Sequence, residues 1–155
     1  LNSFVQGIDA DQIHLVGHSL GGLVIRLLFL EFPHQPPGRI ATLGTPHTGS
    51  HVACVLSRSK FWSHLLGVNG PLICQGPPPW DGARELGSVA GRIPLGAGLV
   101  VRSLPRPNDG TVAVAETRLP GMKDHLVLPV SHTALLFSSA AAQATCRFLR
   151  QGCFQ

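Results

Sequence analysis

Charge is scarce in these 155 residues: Asp, Glu, Lys and Arg make up 13% against 44% hydrophobic residues, and the charged share is about half the usual one. So little charge excludes an intrinsically disordered chain and a charge-laced coiled coil. Runs of one sign are missing too. The twelve Lys and Arg exceed the eight Asp and Glu by a net +4, but they are scattered, and a nucleic-acid footprint would be clustered. No apolar run reaches the roughly 20 residues of a membrane-crossing helix; the one from Leu23 to Leu30 is broken by Arg26 and stopped by Glu31 and Pro33. Cysteine is sparse and unpatterned. Cys54, Cys74, Cys146 and Cys153 show no CxxC spacing, so free thiols are expected rather than a disulfide scaffold. The start at Leu1 carries no basic and apolar leader, no internal repeat is present, and the compartment stays open.

What is present alternates. Residues 1–155 are of one-domain length, and one core must serve every site. Gln12 to Val16 is an apolar run of strand length, Gly17-His18-Ser19-Leu20-Gly21-Gly22 a tight turn, and Leu23 to Phe32 a helix apolar on nearly every face. Further strand-like runs are expected at 39–43, 98–104 and 125–130, and the Ala-rich stretch from Thr133 to Arg150 is expected to be a terminal helix. This order predicts an α/β fold with a parallel, doubly wound sheet. Residues 51–97 stand out as a helical, lid-like or cap-like insertion, in which Phe61, Trp62, Leu65 and Leu66 offer apolar contact to substrate.

The spacing Gly17-x-Ser19-x-Gly21 gains meaning from its context, with a strand before it and a helix after it. In such a nucleophile elbow the glycines Gly17 and Gly21 allow close backbone approach and expose the serine Oγ. A serine hydroxyl needs a base to take its proton, and the base needs a carboxylate to hold it. In a parallel sheet these groups stand at the carboxyl ends of strands, in the order serine, acid, histidine. His132 lies directly beyond the last strand-like run and before the terminal helix. Among the acids downstream of Ser19, Asp81 and Glu85 fall in the insertion, and Glu116 is expected to face solvent. Asp124 precedes the last strand, which puts it roughly 20 Å from that strand's carboxyl end. Asp109 remains, in Pro107-Asn108-Asp109-Gly110, where a plain Asx turn is the competing reading. Ser19, Asp109 and His132 are thus the candidate catalytic residues.

Three segments resemble the bacterial α/β-hydrolases of the triacylglycerol lipase and esterase group. They are Val16 to Gly22, Leu43-Gly44-Thr45-Pro46-His47-Thr48-Gly49-Ser50, and Asn108-Asp109-Gly110-Thr111-Val112 with Ser131-His132-Thr133 downstream. The resemblance implies the same triad and the Leu20 N–H as an oxyanion donor. It also implies earlier strands and a His-Gly loop that this chain does not show, so the expectation is the carboxyl-terminal part of the fold, incomplete at the N-terminus. The implied activity is hydrolysis of carboxylic esters, lipophilic acyl esters foremost, with transient contact to a lipid interface, no cofactor, and no nucleic-acid partner. Acyl transfer, or deacylation of a phospholipid or glycolipid, would use the same residues, and a noncatalytic binding module on this fold is the rival of another class. His47 and His51 are four apart, but Pro46 and Gly49 break the helix that would align them, and no metal is expected. His18 is expected to pack or hydrogen-bond behind the elbow, and Arg26 to meet a carboxylate.

Overall fold

The computed structural model describes residues 1–57, 70–96 and 104–155. Phe61, Trp62, Leu65 and Leu66, and the run expected as a strand at 98–104 except Leu104, lie outside the described residues. In chain order the elements are α1 (Asn2–Gln6), β1 (Leu15–His18), α2 (Leu20–Glu31), β2 (Ile40–Leu43), α3 (His51–Ser57), α4 (Gly70–Gln75), β3 (Leu86–Gly91), β4 (Asp124–Leu128) and α5 (Ser139–Gln151). Short 3-10 turns cover Val114–Thr117 and Thr133–Leu136.

The four described strands form a parallel sheet in the order β1-β2-β3-β4. Because side chains alternate across a strand, β2 sends Ile40 to one face and Ala41 and Leu43 to the other. Ile40 joins Leu86 beneath Ile25 and Phe29 of α2, with Trp80 and Leu119 completing that layer. Ala41, Leu43 and Val89 meet Ala141, Ala144 and Phe148 of α5 together with Phe154. Helices therefore cover both faces. Helix α5 starts on Ser138, whose Oγ accepts from Ala141 N at 3.2 Å, and stops at Gly152 in the left-handed region at φ 82°. Its last carbonyls, Leu149 and Arg150, take hydrogen bonds from Arg39 at 2.9 and 3.0 Å. None of the four cysteines is in a disulfide.

The third described strand was not expected. It lies at Leu86–Gly91, inside the stretch expected as an insertion at 51–97. Its composition hides it, since Gly87 and Gly91 weaken any strand signal. Both are needed for close packing: a Cβ on Gly87 would come within 2.7 Å of the Phe148 and Phe154 rings. Helix α4 lies in a Gly- and Pro-rich part of that stretch. Pro71 is tolerated there because it falls in the first turn, where its missing N–H has no intrahelical partner.

Strand β1 pairs on one side only among the described strands. Leu15 and Ser19 donate to Arg39 and Leu43 of the β2 segment, so the backbone groups of the alternate residues Val16 and His18 point the other way. Val16 is 51% exposed, with Phe4, Val24 and Phe32 also exposed. An apolar open edge is a template for pairing with another chain. We therefore expect the 155-residue chain on its own to self-associate and to bind hydrophobic dye, and Val16→Lys to weaken both. Size-exclusion chromatography with a dye titration checks this; an unaltered elution profile in the variant would count against edge pairing.

Candidate active site

Ser19 is the one non-glycine residue with positive φ among the described residues, at φ 53° and ψ −123°. It joins the end of β1 directly to the start of α2, so the helix begins three residues earlier than its apolar pattern suggests. Such a conformation costs about 1–3 kcal/mol and persists only where its surroundings enforce it. Here Ser19 N–H donates to the Leu43 carbonyl at 2.9 Å, and Thr45 Oγ1 donates to the Ser19 carbonyl at 2.9 Å. A Cβ on Gly17 would lie 2.6 Å from Gly22 N, and one on Gly22 would run into Thr45 Oγ1. Gly21, expected as the second elbow glycine, has open space instead. The tight pair is Gly17 and Gly22, which the spacing pattern did not single out. The Leu20 N–H opens the first turn of α2, where helix donors lack intrahelical acceptors.

Asp109 and His132 are in contact. His132 Nδ1 lies 2.7 Å from Asp109 Oδ2, and the histidine N–H donates to the Asp109 carbonyl at 2.9 Å. The other carboxylate oxygen, Oδ1, accepts from Thr111 N at 2.9 Å and Val112 N at 2.7 Å. One oxygen thus closes the turn and the other faces the imidazole. Asp109 is 1% exposed and His132 8%. The acid arrives 18 residues after Gly91, the end of the last described strand before it. Gly91 makes this possible, because a Cβ there would stand 2.8 Å from Asp109 Cβ. Asp124 lies at the start of β4, with Oδ2 accepting from Phe154 N at 2.7 Å.

The His132 ring passes over Gly44, whose Cβ would lie 3.0 Å from Nδ1, and its centroid is 4.7 Å from that of His18. His18 Nε2 is 3.1 Å from the His132 carbonyl. Arg26 meets no carboxylate, contrary to expectation: buried beneath the loops, it donates to the carbonyls of His47 at 2.7 Å, Pro77 at 3.3 Å and Pro78. The two terminal nitrogens are held by carbonyl groups, while Nε has no hydrogen bond among the described residues. Glu116 does not simply face solvent either. It accepts from His51 N at 2.6 Å, capping α3, and from Ala113 N at 2.7 Å.

No family model and no curated protein sequence matches the chain. Solved structures do share its fold. The mature form of the Bacillus licheniformis lipase BlEst2 superposes with a TM-score of 0.62 at 21% identity, over 90% of this chain and 64% of that one. The propeptide form of the same lipase gives 0.62 at 24% identity, over 78% and 32%. The metagenomic carboxyl esterase MGS0156 gives 0.65 at 15% identity, over 86% and 49%. The chain thus spans between about a third and two thirds of the length of these structures. Likeness at these identities establishes the fold: the described elements form part of an α/β-hydrolase fold.

On the α2 face of the sheet, Thr42, Ser88 and His125 stand side by side on β2, β3 and β4. Thr42 Oγ1 donates to the Gly87 carbonyl, so it accepts from His47 Nε2 at 2.9 Å. Thr117 Oγ1 likewise donates to the Val114 carbonyl and accepts from His125 Nε2 at 2.9 Å. Burial, reinforced by Arg26, pushes His47 down to about 3, and burial with Arg118 pushes His125 down to about 4. Glu116 is held above the usual carboxylate range, chiefly by burial. Depressed histidines contribute stability that is present above pH 6.5, their unfolded value, and is lost as pH falls through the folded ones. Glu116, protonating earlier in the folded chain, works the other way near its own range. Each extra proton bound on unfolding is worth about 1.4 kcal/mol per pH unit. We expect denaturant midpoints to fall between pH 6.5 and 4.5, and His125→Gln to flatten the slope by about one proton. Equal slopes in the two proteins would refute this account.

Proposed function

We propose that Ser19, Asp109 and His132 form the triad of a serine hydrolase that cleaves carboxylic esters through an acyl-enzyme. The observation that carries this reading is the 2.7 Å Asp109–His132 pair, set beside the strand whose next residue is a serine in a strained elbow. The deep fold likeness to a lipase and a carboxyl esterase supports it. In the reaction Ser19 Oγ attacks the ester carbonyl carbon and passes its proton to His132 Nε2. Asp109 holds the Nδ1 proton and stabilises the imidazolium. The carbonyl π electrons move onto oxygen, where the Leu20 N–H at the start of α2 receives the charge. Collapse expels the alkoxide, which takes the proton back from His132. Water then attacks the acyl-Ser19 ester by the same route and frees the acid.

Lipophilic acyl groups are the proposed substrates. Leu20 follows the nucleophile directly, and Leu136 and Phe137 lie four and five residues beyond the base, Phe137 being 83% exposed. Large exposed apolar groups at such points suit contact with an acyl chain or a lipid interface. The stretch around Phe61, Trp62, Leu65 and Leu66 remains the proposed lid.

Ser19→Ala should lower ester turnover by about 10⁶ and abolish labelling by a fluorophosphonate probe; retention of more than a few per cent of activity on a p-nitrophenyl ester places the nucleophile elsewhere. Asp109→Asn should cost about 10⁴ in turnover by favouring the wrong imidazole tautomer. Asp124→Asn should leave turnover near wild type while lowering the melting temperature. Kinetics and calorimetry on the pair of variants decide between catalytic and structural carboxylates, and the reverse pattern refutes the assignment.

A further inference from the structure

The base and the nucleophile come from opposite sides of the sheet. Ser19 follows β1 and His132 follows β4, and three strand spacings of about 4.8 Å separate those strands. Asp109 draws His132 in from above β3, but it makes no contact with the elbow that any hydrogen bond records. His18 supplies the missing tie. It is the last residue of β1 and the neighbour of Ser19, and its Nε2 reaches the His132 carbonyl at 3.1 Å across 114 residues of sequence. A carbonyl only accepts, so His18 carries its proton on Nε2 and donates. The two rings also meet at 4.7 Å between centroids, inclined by 45°. With the ring set over Gly44, where no side chain stands in the way, His132 is held on three sides.

We propose that His18 is a positioning residue: its Nε2–H fixes the main chain of the base relative to the nucleophile, so that His132 Nε2 is aimed at Ser19. The inference rests on the triad reading above. Position is worth much in such a pair, since an error of about 1 Å can cost 10²-fold in rate. Because His18 is proposed to act through the main chain of His132, its loss should appear in turnover and not in substrate binding. A side chain needed only for filling space would be served equally well by any ring of similar size.

The test uses the whole protein with His18→Phe, which keeps a ring and removes the donor, and His18→Gln, whose amide keeps a donor. For His18→Phe we expect kcat to fall about 10- to 100-fold with KM within about twofold and the melting temperature near wild type. His18→Gln should recover most of the lost turnover. Fluorophosphonate labelling of Ser19 should slow in step with kcat. Two outcomes overturn the proposal: a Phe variant with turnover within twofold of wild type, or a Gln variant as impaired as the Phe variant at equal stability. A wild-type protein that neither turns over esters nor takes the label defeats the triad reading itself, and that failure is distinct from either of these.

Discussion

Everything at the carboxyl end of the sheet is arranged around the hydrogen bond between Asp109 and His132. A carboxylate so deeply buried is tolerable only if both oxygens are satisfied, and Asp109 meets this with two backbone N–H groups on one oxygen and the imidazole on the other. The loop that delivers it must then cross the end of β3 at backbone contact, which is why Gly91 carries no side chain there. The same pair disposes of the histidine's other polar groups. His132 N–H goes to the Asp109 carbonyl, Nδ1 to the carboxylate and the carbonyl to His18, leaving Nε2 as the ring atom free to exchange a proton.

The elbow imposes a second constraint, because its strain must be met from outside the elbow itself. Thr45 does this in two ways, by donating to the Ser19 carbonyl and by filling the space against Gly22. Thr45 in turn sits in a loop pinned from below by Arg26, which holds the His47 carbonyl, and from the side by Glu116, which takes N–H groups of both His51 and Ala113. A change at any of these buried points reaches Ser19 through packed, hydrogen-bonded neighbours.

This arrangement was only partly legible in the sequence. The passage from strand through turn to helix around Ser19 announces itself, since an apolar run, a glycine-rich turn and an unbroken run of helix formers each have their own signature. The second strand and the terminal helix are equally plain. Strand β3 is not, because its residues are chosen for what lies above and below: Gly87 for two phenyl rings and Gly91 for Asp109. Asp109 is legible from chain order and turn chemistry, without the backbone contact to Gly91 that seats it. Arg26 and Glu116 misled for a common reason. A lone charge in an apolar setting suggests a partner of opposite sign or solvent, whereas both take their hydrogen bonds from backbone groups that no sequence pattern displays.

The imidazoles of this fold are of two kinds. The proposed base sets its Nδ1 against the Asp109 carboxylate, which leaves Nε2 for the serine proton in the proposed reaction. His47 and His125 differ from it: each is held neutral in a buried row, with no hydrogen bond to its Nδ1 among the described residues, and charging them costs the fold itself. That cost reaches the elbow, since His47 lies in the loop that carries Thr45, the residue whose hydroxyl holds the Ser19 carbonyl. What divides the two kinds is the setting of the ring: Nδ1 of His132 faces a carboxylate, whereas burial with Arg26 or Arg118 nearby opposes a charge on His47 and His125.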